Sequence, residues 1–158
     1  MKPIEKPWID AGYHIFAREG PRGLNIERLA RTVGKNKASF YHLFADLHLF
    51  TERLLQYHQQ RANIIAGKES QSTREAELIE VILEHRIDLL FNRELRFHRE
   101  NPDFERCFTA INQRSVPAIL PVWKKIIGIS ENTSLARMVL MLSLDNFYRI
   151  TSKTWGLS

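Results

Sequence analysis

Lys35, Lys37, Ala38, Tyr41 and His42 crowd into one short stretch of this chain. Placed on the outward side of a helix, they offer two ammonium groups, one small side chain and two ring donors, a set that suits a groove lined by phosphates. Phosphate contacts would then supply most of the affinity and weaken with salt, while Tyr41, Lys37 and His42 are the candidates for base or sugar contact. Catalytic chemistry finds less to work with. Six histidines invite a metal site, yet neither His-Glu-x-x-His nor the Glu-x-x-His pair of a di-iron bundle occurs. Glu84 and His85 are adjacent and so point to different sides of a helix. Cys107 has no sequence signature of an activated nucleophile, and there is no glycine-rich phosphate loop. No catalytic residue, metal ligand or cofactor is assigned.

The basic stretch needs a helix to present it, and the neighbouring residues specify one. Ile26, Leu29, Ala30 and Val33 recur on one face of a helix, and Gly34 follows where a helix ending in a left-handed residue wants glycine. Asn36 can cap a second helix, to which Phe40, Leu43 and Phe44 give a buried side. Two short amphipathic helices hinged at Gly34 form the layout of a helix-turn-helix. Asn25 reads as the cap of the first of them, where its backbone amide can sit on a phosphate. Arg28 either joins the phosphate contacts or pairs with a nearby acid. The candidate DNA-binding set is therefore Asn25, Arg28, Lys35, Asn36, Lys37, Ala38, Tyr41 and His42.

At these residues the chain resembles the TetR family of transcriptional regulators. Residues 9–24 are similar to the family's first helix, the glycine that ends it and the turn that follows. Phe44, Ala45, Asp46 and Leu47 resemble the handover from its recognition helix to a long fourth helix. The likeness covers about the first third of the chain. It implies an all-α fold with an N-terminal three-helix head, residues 1–46, on a C-terminal helical ligand-binding and dimerisation body, residues 47–158, joined by a helix over 47–66. It also implies a homodimer built on C-terminal helices, usually repressing transcription and released when a small ligand binds the body. Three positions depart from the family's pattern. Lys35 stands in place of a turn-packing valine, Leu43 in place of a phosphate-contacting histidine, and Leu47 in place of a lysine on the DNA backbone. Lys35 and Lys37 can move those contacts to the front of the recognition helix, with His42 or His48 adding more.

Length and charge agree with a small regulator. The 158 residues suffice for a real core, and the formal charge of +5 is unevenly spread. The first fifty residues hold eight basic against five acidic side chains, net +3, and the remainder fifteen against thirteen, net +2. That asymmetry favours a polyanion partner for the N-terminal part. A single cysteine cannot make an internal disulfide, which fits a reducing compartment. Without a secretory signal or an apolar run long enough to span a bilayer, a cytoplasmic location with no membrane partner is expected.

Beyond the head the pattern stays helical. Asp46 can cap a helix to about residue 66, and a polar break over 67–71 precedes Ser72 and Glu75 at capping-box spacing. The following helix, from Leu78 through Ile87 to Phe91, is apolar on nearly every side and is expected in the middle of a bundle. Pro102 suits a first helical position and opens a short helix. Pro117 and Pro121 should make the next piece short or kinked before Gly128 stops it. Ser130 can cap the last helix, whose second apolar side most simply packs against another copy of the chain.

A dimer is what specific recognition requires, because one short helix contacts few bases. Two heads would meet successive major grooves roughly 34 to 36 Å apart at an inverted repeat of double-stranded DNA. Phe97, His98, Phe104, Phe108, Trp123, Met138, Met141 and Phe147 are the candidates for a pocket taking a small apolar or aromatic effector; ordinary core packing is the competing reading for each. The expected function is a ligand-responsive repressor. Two alternatives stand beside it: a helical interaction module whose degenerate head no longer binds DNA, and a small helical enzyme.

Overall fold

Side-chain caps set the ends of the early helices. The computed structural model describes residues 1–154, with side chains to residue 150; among them are eight α-helices and no strand. Helix α1, Lys6–Glu19, begins with Pro7 in its first turn and ends at Gly20, whose φ of 68° favours glycine. Helix α2, Ile26–Val33, is capped by Asn25, whose Oδ1 accepts the amides of Glu27 and Arg28. Gly34 closes it in the left-handed conformation, and the Lys35 amide reaches back to the Ala30 carbonyl at 2.9 Å. Helix α3, Lys37–Phe44, is capped by Asn36 through the amide and hydroxyl of Ser39. Ala45, at φ 61°, makes the sharp turn into α4, Leu47–Gln71, which Asp46 caps through the Leu49 amide.

The body departs from the sequence expectation in five places. Helix α4 does not stop at residue 66 but runs about 37 Å to Gln71, because Ile65 and Glu69 continue its buried face past Gly67. The capping box uses Glu77 instead of Glu75: its carboxylate accepts the Thr73 and Arg74 amides ahead of α5, Glu75–Glu84. The long apolar helix is broken at His85 into α5 and α6, Arg86–Phe97. Its ring is held inward by Asp88 and Lys68, and its backbone leaves the helical ladder. Ile79 and Leu83 of α5 are consequently exposed, not central. Helix α7, Pro102–Ile127, passes through Pro117 and Pro121 without interruption. Both prolines lie four residues apart on the solvent side, where water can serve the carbonyls they leave unmatched. Finally, Asn132, not Ser130, caps α8, Thr133–Thr154, through the Leu135 amide.

One apolar core runs from the head into the body. Trp8, Phe16, Leu29, Phe40, Phe50, Phe91, Phe104 and Cys107 belong to it, with α1 packed on α6 and α4 on α7. A second cluster joins α5, α7 and α8 through Leu78, Val116, Leu120, Ala136 and Leu140. Phe91 fills the joint between head and body: its ring centroid lies 4.4 Å from Tyr13, 4.3 Å from Phe16 and 4.3 Å from His58. No described helix is long and apolar enough to cross a membrane.

Gly12 permits the close approach of α1 to α4, since a Cβ there would stand 2.5 Å from Phe50 Cζ. Gly12→Ala is expected to destabilise the protein by about 1–3 kcal/mol in urea unfolding. Gly67→Ala, with open space around it inside α4, should stabilise it by about 0.5–1 kcal/mol. Equal stability of wild type and Gly12→Ala would contradict the packing of α1 on Phe50.

Candidate functional site

Helix α3 is anchored from behind and open in front. Phe40 packs edge-on to Trp8 at 5.5 Å and lies against Phe44 and Phe50, which fixes the rear of the helix in the core. Lys35, Lys37, Ala38, Tyr41 and His42 are all exposed, Tyr41 by 52%. Asn25 and Asn36 are exposed too, but each spends its side-chain oxygen on a helix cap. Their side-chain NH2 groups and the first-turn amides that the caps do not take, those of Ile26, Lys37 and Ala38, remain as anion-directed groups.

The cations of the head differ in their commitments. Arg28 donates to Glu19 through both terminal nitrogens and holds that carboxyl below its usual range. Lys37 donates to Glu27 Oε1 at 3.0 Å, an exposed pair of the kind that contributes little. Lys35 has no ion pair among the described residues. Leu43 and Leu47 are half-buried and pack against the head's core, so their side chains serve the fold.

Behind α3, buried polar groups tie the head to the body. Tyr13 of α1 donates to Asp88 Oδ1 of α6 at 2.7 Å and lies 2.6 Å from His58 Nδ1 of α4. With its own proton given to Asp88, the phenol oxygen accepts from His58, which places the proton of the neutral ring on Nδ1. Arg61 donates to both Asp88 oxygens, with Nη2 at 2.8 Å, and His85 approaches the second at 3.2 Å. Burial alone would raise the Asp88 carboxyl, but the hydrogen bonds from Arg61 and Tyr13 outweigh it and hold the group below its usual range. Asn92, whose Oδ1 lies 3.4 Å from His58 Nε2, donates to the Tyr148 hydroxyl at 2.9 Å and so brings α8 against the network.

His58, Asp88, Asn92 and Tyr148 also line a cavity of about 240 Å³ between α4, α5, α6, α7 and α8. Its remaining wall is mainly apolar, including Ile65, Leu78, Ile82, Ile119 and Leu140. Of the eight pocket candidates read from sequence, only Trp123 and Phe147 line it. Phe97, Met138 and Met141 are exposed, by 41%, 54% and 41%. His98 lies at the surface end of α6 beside Glu94, Phe104 packs edge-on to Phe16 in the joint, and Phe108 lies against the same core. Aromatic character alone did not reveal facing. A better signal was polar residues at helical spacing on otherwise apolar buried faces: His58 and Glu69 in register with Ala62 and Ile65 on α4, and Asp88 and Asn92 on α6.

Burial pushes the Glu69 carboxyl up to about 8 and the His58 imidazole down to about 4. Their stability effects have opposite sign. A raised carboxyl favours folding below its unfolded value near 4.5 and loses that contribution as pH rises to about 8. A depressed imidazole loses its contribution as pH falls from 6.5 to about 4. Between pH 6.5 and 8 only Glu69 titrates of the two, and stability should fall there by on the order of 1–2 kcal/mol. Glu69→Gln should flatten that slope in urea titrations; an unchanged slope would show that the carboxyl is not held protonated.

The chain superposes on a crystal structure of a protein from Rhodococcus sp. described as a TetR-family transcriptional regulator, with a TM-score of 0.62 and 18% identity. The match covers 100% of this chain and 91% of that one. No protein-family model matches the sequence, and no curated protein does. The likeness is one of architecture, from the three-helix head through the helical body, and it gives this chain the fold of the TetR family of transcriptional regulators.

Proposed function

We propose that this protein is a DNA-binding transcriptional regulator that grips an inverted-repeat operator as a homodimer. The observation carrying this reading is α3 itself: Phe40 and Phe44 lock its rear into the core, while Lys35, Lys37, Ala38, Tyr41 and His42 are exposed on its front. Inserted into a major groove, α3 directs Tyr41, Lys37 and His42 to bases or sugars, with Lys35 and the capped starts of α2 and α3 on phosphates. Arg28 contributes by fixing α2 to α1 through Glu19. The family's usual phosphate partners at positions 43 and 47 are replaced by core packing, so the electrostatic grip concentrates at the front of α3.

Support for the homodimer comes from α8, whose Leu135, Met138 and Leu142 form an exposed apolar stripe opposite the buried Ala136 and Leu140 and the half-buried Leu144. A second copy on that stripe brings two heads, residues 1–46 of each chain, onto one duplex. The body, residues 47–158, of which 155–158 lie outside the described residues, then acts as the ligand-responsive part. A small molecule in the cavity prefers one body shape and shifts the population of head separations, releasing the operator in a repressor.

Selection from random duplexes, followed by fluorescence anisotropy on the enriched site, tests the reading. Lys35→Ala and Lys37→Ala should each reduce the slope of log K against log salt by about 1, and Tyr41→Ala should weaken binding by about 1–3 kcal/mol. Unchanged slopes in both lysine variants exclude them as phosphate ligands, and failure to enrich any duplex overturns the function.

A further inference from the structure

Glu69 is 5% exposed on the cavity wall, and its Oε2 meets no hydrogen-bond partner among the described residues. The adjacent Lys68 does not serve it, being bonded to Glu84 and His85. A buried carboxylate without a partner is strongly disfavoured, so the group either keeps its proton or receives a partner from outside the chain. The cavity's charge pattern indicates which partner it suits. Two acidic residues, Glu69 and Asp88, line it; no lysine or arginine does. Asp88 is already matched by Arg61 and Tyr13, and the facing His58 of α4 and Tyr148 of α8 are buried in neutral form and hydrogen-bonded. Glu69 lies eleven residues along α4 from His58, about 16 Å, and approaches that network only on its Tyr148 side.

We propose that the cavity takes a small amphipathic organic amine, its ammonium paired with Glu69 and its apolar part against Ile65, Leu78, Ile82, Ile119 and Trp123. The Trp123 indole nitrogen already donates to the Ala136 carbonyl, so this side chain offers the ligand carbon surface and π density. A volume of about 240 Å³ lies just below the usual ligand-pocket range of about 300–1,000 Å³, which limits the guest to a single ring or a short chain. An ammonium makes a charge-assisted hydrogen bond in a site screened from water, stronger than that of a matching alcohol. An anion finds no lysine or arginine in the lining to pair with. On binding, the carboxyl proton of Glu69 leaves to solvent and the ammonium takes its place. This assignment names the ligand class for the ligand-responsive body proposed above and rests on that reading.

Calorimetric titration of the full chain at pH 7.5 with 2-phenylethylamine, n-hexylamine and cyclohexylmethylamine, each beside its matching alcohol, provides the test. At least one amine should bind with a single site and at least tenfold more tightly than its alcohol. Glu69→Gln should lower amine affinity at least tenfold while leaving the alcohol unchanged. Repeating the wild-type titration in buffers of different ionisation enthalpy should register proton release, a readout that stands even if the Gln variant fails to fold. Absence of binding by all three amines, equal binding of an alcohol, full amine affinity in Glu69→Gln, or amine binding without proton release would each overturn the assignment. Duplex binding by the same preparation separates the two proposals: intact operator binding without amine binding removes the ligand class alone, and amine binding without any operator removes the regulatory function alone.

Discussion

Asp88, a carboxylate with almost no access to water, holds the head of this molecule against its body. Burying such a charge is costly unless every lone pair is matched, and here the matches come from three other helical positions: Tyr13 of α1, Arg61 of α4 and His85 at the break before α6. Removing one partner of a buried pair typically costs about 3–5 kcal/mol, a large share of a small protein's stability. The head therefore cannot rotate freely on the body. Phe91, three residues farther along α6, reinforces the constraint by stacking on Tyr13 and Phe16 while touching His58.

The same constraint connects the cavity to α3. His58 and Asp88 belong both to the polar joint and to the cavity wall, so a guest that moved either of them would act on Tyr13 directly. Tyr13 lies in α1, whose Trp8 packs on Phe40 at the rear of α3. Each step is a packed contact or a buried hydrogen bond. Interiors of this density pass displacement on instead of absorbing it, which makes the arrangement suited to a two-state shift of head orientation.

The head was legible in the sequence because its determinants are local. Asn25, Gly34, Asn36 and Asp46 each act on amides or carbonyls within a turn, and each does in the structure what its type and position suggest. The body's helices were legible as helices but not in their ends. Whether His85 breaks a helix depends on Asp88 and on Lys68 from α4, and whether Pro117 and Pro121 interrupt α7 depends on which side of it meets water. Neither fact is contained in a window of sequence. The cavity was least legible, for a related reason. An aromatic residue packs equally well into a joint, as Phe104 does, or beside a void, as Phe147 does, and only the tertiary placement decides. Buried polar residues discriminate better, because each needs a partner and so marks a place where the core is not merely filled.

In the proposed dimer, two settings determine how far apart the heads stand. The α8 stripe of Leu135, Met138 and Leu142 would fix one body against the other, and the Asp88 joint fixes each head on its own body. The cavity lies between these two settings, with Leu140, Ser143, Leu144, Phe147 and Tyr148 of α8 on one side and His58, Ala62, Ile65 and Glu69 of α4 on the other. A guest there would separate or draw together the helix proposed to face the partner and the helix that carries the head. Because α4 is about 37 Å long, a tilt of a few degrees at its cavity end becomes a displacement of a few ångströms at the head. Successive major grooves recur at a spacing of roughly 34 to 36 Å, and a short recognition helix tolerates little error in that register. A small cavity is therefore no obstacle to regulation in a body this short, since the lever that reads it spans the distance from cavity to head.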